Sequence, residues 1–138
     1  MIPLSFAQRR LWFLFQIDGP TSIYNVPMAL RLEGRLDEEA LRSALGDVVG
    51  RHESLRTIFP AANDNEPGQF ILAPEESPLV LQVQASSEAT YSRQLSEAIE
   101  YCFDLASELP IRASLFHLDE EQHVLLLLCH HIASDGWS

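Results

Sequence analysis

Basic residues are scarce in this chain. It carries 9 Lys and Arg against 20 Asp and Glu over 138 residues, a net charge of −11, and no basic run exceeds Arg9-Arg10. Nucleic-acid and anionic-membrane surfaces need clustered cations, so neither partner class is expected, and the acidity is read as serving solubility. Cysteine is nearly absent too. Cys102 and Cys129 both lie in apolar stretches without metal-ligand spacing, which predicts buried free thiols. Long apolar runs are missing, the longest being residues 124–129, far too short to span a bilayer. Met1-Ile2-Pro3-Leu4-Ser5 lacks the basic region followed by an apolar one that marks a signal peptide, so a cytoplasmic protein is expected. No repeat, low-complexity tract or linker divides the chain. What is present, 46% apolar and 21% charged residues, is the composition of one globular domain able to bury its own core.

Taken in order, Ser5-Phe6-Ala7-Gln8 reads as a capping box that opens a helix. Leu11, Trp12, Leu14 and Phe15 give this helix a wide apolar face, read as core, and Asp18-Gly19-Pro20 ends it. Residues 24–33 alternate, with Val26, Met28, Leu30 and Leu32 on one side, and predict a strand closed by Gly34. Asp37 caps a second helix, with Leu36 and Leu41 placed for a hydrophobic staple. Leu41, Ala44, Leu45, Val48 and Val49 follow the spacing of a helix packed on a sheet. Residues 51–59 are dense in ionisable groups and, by themselves, read as a solvated helix end leading into a strand at 55–59. A turn at 60–68 joins that strand to 69–72, and a further strand follows at 79–84. A third helix is predicted over 88–104, with Leu95, Ile99, Cys102 and Phe103 as its stripe. Two strands, 111–118 and 122–131, then form a hairpin across Asp119-Glu120-Glu121. The element order predicts an α/β (α+β) two-layer sandwich, a mixed sheet covered by helices. The last strand, apolar on both faces, belongs at its centre.

That last strand runs into His130-His131-Ile132-Ala133-Ser134-Asp135-Gly136-Trp137-Ser138. Strand ends that open into loops are where folds place chemistry. Neighbouring strand residues point to opposite faces, so His130 and His131 cannot converge on one metal, and His131 with Asp135 is a thin ligand set. No metal and no bound cofactor is therefore expected. Asp135 can orient the His131 imidazole or pair elsewhere, and Gly136 allows close approach of backbone or substrate. Ser134 and Ser138 lack the glycine elbow of a nucleophilic serine. A histidine that assists an incoming nucleophile fits these residues better than a covalent enzyme intermediate.

His130-His131-Ile132-Ala133-Ser134-Asp135-Gly136 resembles the HHxxxDG motif of the chloramphenicol-acetyltransferase-like acyltransferases. Two further segments narrow the resemblance. Ser5-Phe6-Ala7-Gln8-Arg9-Arg10-Leu11-Trp12 is similar to SxAQxRLW, and Arg51-His52-Glu53-Ser54-Leu55-Arg56-Thr57-Ile58-Phe59 matches RHExLRTxF at every fixed position. These are the first two motifs of the condensation domains of nonribosomal peptide synthetases, and in that light residues 51–59 are more than a helix end. The intact second histidine and aspartate differ from the pattern of heterocyclisation domains. Gly19-Pro20 and Tyr24-Asn25 resemble the subtype that joins two L-residues.

The resemblance implies amide formation between two substrates carried on the 4′-phosphopantetheine arms of an upstream and a downstream peptidyl carrier domain. It implies that His131 is catalytic, as general base or by positioning the amine. His130 would pack behind it, and Asp135 would be a strut paired with Arg56 or, alternatively, Arg51. Gly136, Trp137 and Ser138 would shape the substrate channel. It implies also that residues 1–138 are the N-terminal lobe of a V-shaped pair, truncated after the HHxxxDG motif, with the C-terminal lobe absent. Such a lobe alone is expected to be inactive and to self-associate through its bare face. The alternatives are a noncatalytic half-domain that binds a carrier protein or partner lobe, and another HHxxxDG acyltransferase that uses CoA thioesters.

Overall fold

The computed structural model describes residues 2–60 and 68–134, with the side chain of Ser134 excepted. Helix α1 (Phe6–Asp18) begins with the expected reciprocal cap. The Gln8 amide donates to Ser5 Oγ at 3.2 Å, and the Ser5 amide donates to Gln8 Oε1 at 2.9 Å, so two of the donors a helix start leaves open are satisfied. Gly19 ends the helix at φ 73°, a value that a side chain would strain. Strand β1 (Asn25–Glu33) leads to α2 (Glu38–Arg51), where the Ala40 amide donates to Asp37 Oδ1 at 3.1 Å. Leu36 and Leu41 flank this start and pack on one apolar cluster, as a staple should. A 3₁₀ turn (Glu53–Arg56) precedes β2 (Thr57–Ile58), which pairs antiparallel with β3 (Phe70–Ile71). After it come β4 (Leu81–Ala85), α3 (Tyr91–Ile99), β5 (Ile111–Asp119), β6 (Gln122–His130) and the short α4 (His131–Ser134).

The main sheet has the order β1-β6-β5-β4. β4 and β5 are parallel and joined through α3, while the other two pairs are antiparallel. It is thus the mixed sheet the sequence predicts, and β6 is interior to it. The two faces of β6 explain its uninterrupted apolar run. Val124, Leu126 and Leu128 face α3, α1 and the segment after α3, where Trp12, Phe103 and Phe116 are buried. Leu125, Leu127 and Cys129 face α2, packing with Leu45 and Val49. Helices therefore cover both faces of the sheet. Each large side chain fully buried here, such as Phe116 or Leu126, contributes about 1.5–3 kcal/mol.

Several boundaries differ from the sequence reading. The third helix occupies only Tyr91–Ile99 of the predicted 88–104. Leu95 and Ile99 pack as expected, but Phe103 reaches the core from an extended segment and Cys102 is exposed. An apolar stripe predicts burial of Phe103, yet it cannot tell a helix from a chain lying across the sheet. Cys129 is half-buried, and burial raises its thiol pKa. Of the strand predicted for 55–59, only Thr57–Ile58 is strand, and Leu55 and Arg56 belong to the 3₁₀ turn. Of the predicted turn at 60–68, residues 61–67 lie outside the described residues.

β1 is an edge strand, and its protection is specific. The His131 amide donates to the Tyr24 carbonyl and the Gly34 amide to the Glu121 carbonyl. Even-numbered residues therefore turn their backbone groups toward β6 and odd-numbered ones turn theirs outward. Pro27 falls in the outward set, where its missing N–H costs no ladder bond and blunts the open edge. The α2-facing side chains of the same strand are less well covered: Val26 is 42% exposed, Met28 52% and Leu30 44%. Val26 and Met28, with Val48, Leu55 and Leu127, border an apolar groove of about 400 Å³. At the far end of the β5–β6 hairpin, His117 Nδ1 and buried His123 Nε2 lie 2.9 Å apart. Desolvation and then the charge of His117 lower the His123 pKa.

Candidate functional site

The chemistry-bearing segment lies where β6 turns into α4. β6 ends at His130, one residue earlier than the alternation predicts, and His131 opens the helix. The two amides are tied to opposite neighbours. His130 N–H donates to the Pro110 carbonyl at 2.9 Å beside β5, and His131 N–H donates to the Tyr24 carbonyl at 2.8 Å beside β1. The imidazoles also diverge. His130 is only 4% exposed, with Tyr24 and Phe103 rings each centred 6.1 Å away. Its Nδ1 accepts the Ile132 amide at 3.0 Å, which leaves the proton of the neutral ring on Nε2. Burial, followed by the charge of His131, lowers its pKa from 6.5 to about 4. His130 is therefore a neutral packing group at neutral pH. His131 is exposed and lines a cleft of about 270 Å³ with Ala7, Arg10, Leu11, Leu14 and Tyr24. Rings that diverge in this way cannot chelate one ion together.

Of the two candidate arginines, Arg51 is exposed at the end of α2, whereas Arg56 is half-buried. Arg56 Nη1 donates to the Leu72 carbonyl at 2.8 Å, and its buried Nε has no partner among the described residues. Leu55, the neighbour of Arg56, shares an apolar cluster with Ala133 of α4. The turn bearing Arg56 is thus packed against the helix that leads to Asp135. Asp135, Gly136, Trp137 and Ser138 themselves lie outside the described residues.

The sequence reading took Leu11 and Leu14 only as core. In the structure Ala7, Arg10, Leu11 and Leu14 form the wall opposite His131. Their i, i+3, i+4, i+7 spacing was visible. What hid their role is that α1 has two apolar sides, with Trp12 and Phe15 packing into the core and Leu14 facing the cleft. Tyr24 and Asn25, which open the predicted strand and carry the subtype resemblance, are neighbours of the two histidines.

Residues 1–138, the whole chain, match the family model for the condensation domain. The chain belongs to the condensation-domain family. It is 52% identical over 137 residues to a dimodular nonribosomal peptide synthase from Bacillus subtilis, covering 99% of this chain and 6% of that protein. Among solved structures, the X-domain from teicoplanin biosynthesis in complex with OxyB superposes with a TM-score of 0.84 at 39% identity, covering 94% of this chain and 28% of that one. The first condensation domain of the CDA synthetase superposes with a TM-score of 0.82 at 22% identity and demonstrates the shared fold, over 94% of this chain and 35% of that one. This member of the family has the architecture of a lobe of the chloramphenicol-acetyltransferase-like fold and spans about a third of the solved chains it matches.

Proposed function

We propose that these residues are the N-terminal lobe of a condensation domain that forms a peptide bond in a nonribosomal peptide synthetase. The observation that carries this reading is the exposed imidazole of His131 in the α1 cleft, on a backbone pinned from both sides. The amine of a downstream carrier-bound aminoacyl thioester attacks the upstream carrier-bound thioester carbonyl. A tetrahedral intermediate forms, the C–S bond breaks, the amine proton is lost, and the released phosphopantetheine sulfur is protonated. His131 serves the attack by accepting that proton or by holding the amine against the carbonyl.

Asp135 is assigned as a strut to Arg56 rather than to Arg51. The support is the unpartnered buried Nε of Arg56 and the packing of its turn against α4. Trp137 and Ser138, which follow directly on the motif, are assigned to the substrate channel, and Gly136, its last residue, to the pocket floor beside them. The partners are upstream and downstream carrier domains, which deliver both substrates on 4′-phosphopantetheine, and a C-terminal lobe. None of the described helices is long and apolar enough to cross a membrane, and the reaction is assigned to the cytoplasm. A complete domain carrying His131→Ala, assayed with two loaded carrier proteins, is expected to lose about 10²–10⁴-fold in rate. Retention within about two-fold of the parent rate would refute the assignment.

A second reading, a binding half-domain, draws on the resemblance to an X-domain found in complex with another protein, OxyB. It predicts that His131→Ala leaves function intact, so the same variant separates the two.

A further inference from the structure

Asn25 opens β1 directly across the ladder from His130. Its carboxamide nitrogen donates to two carbonyls far away in sequence, Ile99 at 2.8 Å and Tyr101 at 2.7 Å. Ile99 closes α3, where a helix leaves carbonyls without intrahelical partners, and Tyr101 lies two residues beyond it. One side-chain nitrogen with two donors can satisfy both, whereas an aspartate has none to give and a serine only one. The preceding carbonyl, that of Tyr24, takes the amide of His131. A single dipeptide thus ties the end of α3, the last rung of β6 and the first residue of α4 together. The arrangement has a cost that packing alone does not require. Asn25 Oδ1 is buried with no partner among the described residues, and an apolar side chain of similar size would avoid it. A buried group of this kind calls for an explanation.

We propose that Asn25 is a positioning residue for His131. It clamps the strand end to α3, so that the Tyr24 carbonyl holds His131 at the α1 cleft. The inference rests on the assignment of His131 as the reacting histidine. Displacement of a reacting group by about 1 Å costs about 10²-fold in rate, so loss of the clamp should lower kcat without weakening either substrate's binding. The test is single-turnover and steady-state condensation by the complete domain with two loaded carrier proteins, comparing Asn25→Ala and Asn25→Gln with the parent and with His131→Ala. For Asn25→Ala, kcat should fall about 10- to 100-fold, with KM for each carrier within about two-fold and cooperative thermal unfolding retained. Asn25→Gln keeps both donors on a longer stem and should recover part of the loss. The proposal is overturned if folded Asn25→Ala keeps kcat within about three-fold of the parent, or if KM rises while kcat holds. It is overturned also if Asn25→Ala fails to fold and Asn25→Gln, folded, turns over at the parent rate. It is overturned equally if neither variant folds, since Asn25 is then a purely structural residue. Full activity in His131→Ala would instead sink the catalytic assignment itself, independently of what Asn25 does.

Discussion

His130 makes the stability of this protein depend on pH in a way that can be isolated. Its ring is 4% exposed, and its pKa is lowered to about 4 by burial and by the neighbouring His131. In the unfolded chain the same side chain titrates near 6.5. Between those two values the unfolded state binds a proton that the native state refuses, so stability rises with pH across the window. The contribution is fully present above about pH 6.5, declines as pH falls, and is lost by about pH 4. The gap of about 2.5 pH units amounts to about 3 kcal/mol in full and to about 2 kcal/mol by pH 5. The comparison is with His130→Phe, which fills similar space and cannot titrate. It loses the acceptor for the Ile132 amide, a penalty of about 1–3 kcal/mol that does not vary with pH. Urea unfolding at pH 7.5 and pH 5 should therefore show the parent losing about 2 kcal/mol more than His130→Phe on acidification. The exposed Arg31–Glu88 pair and buried His123 are the same in both proteins, so their contributions cancel from the difference. Equal losses in parent and variant would refute the burial argument.

Three further outcomes are expected. Asp135→Ala should cost more stability than His131→Ala, by up to about 3–5 kcal/mol, because it strands half-buried Arg56 with its buried Nε, as read from thermal unfolding and soluble yield; equal stability of the two variants would refute the strut. Pro27→Val supplies an outward N–H on the exposed edge of β1 and should increase self-association in concentration-dependent size-exclusion runs, whereas an unchanged monomer fraction would mean that this edge is not guarded by Pro27. Ser5→Ala removes one half of the α1 cap and should destabilise by about 1 kcal/mol in denaturant titration.

Much of the fold was legible because local rules and the final packing agree. The caps at Ser5 and Asp37 and the β5–β6 hairpin are patterns within a dozen residues, and each is found in the structure, whereas of the α2 stripe Leu45 and Val49 are buried and Ala44 and Val48 stay exposed. The third helix was over-extended because Cys102 and Phe103 continue its spacing. Helical spacing marks Phe103 for burial whether it arrives from a helix or from a crossing segment, so the end of α3 could not be read from it. The site divides in the same way. The motif containing His130 and His131 could be read off the chain, and alternation gave each ring its own face. Which ring is buried depends on Phe103 and Tyr24 arriving from elsewhere.

The amino-acid sequence by itself determined the family, the order of elements and the identity of the exposed histidine's segment, since all three are written in contiguous motifs and short-range periodicity. Tertiary structure alone decided that Arg10 and Leu14 face His131, that Pro27 lies on the outward edge, and that Asn25 binds carbonyls 74 and 76 residues away. These are contacts between segments distant along the chain. Such partners are chosen by how the sheet and helices pack, and no local pattern records them.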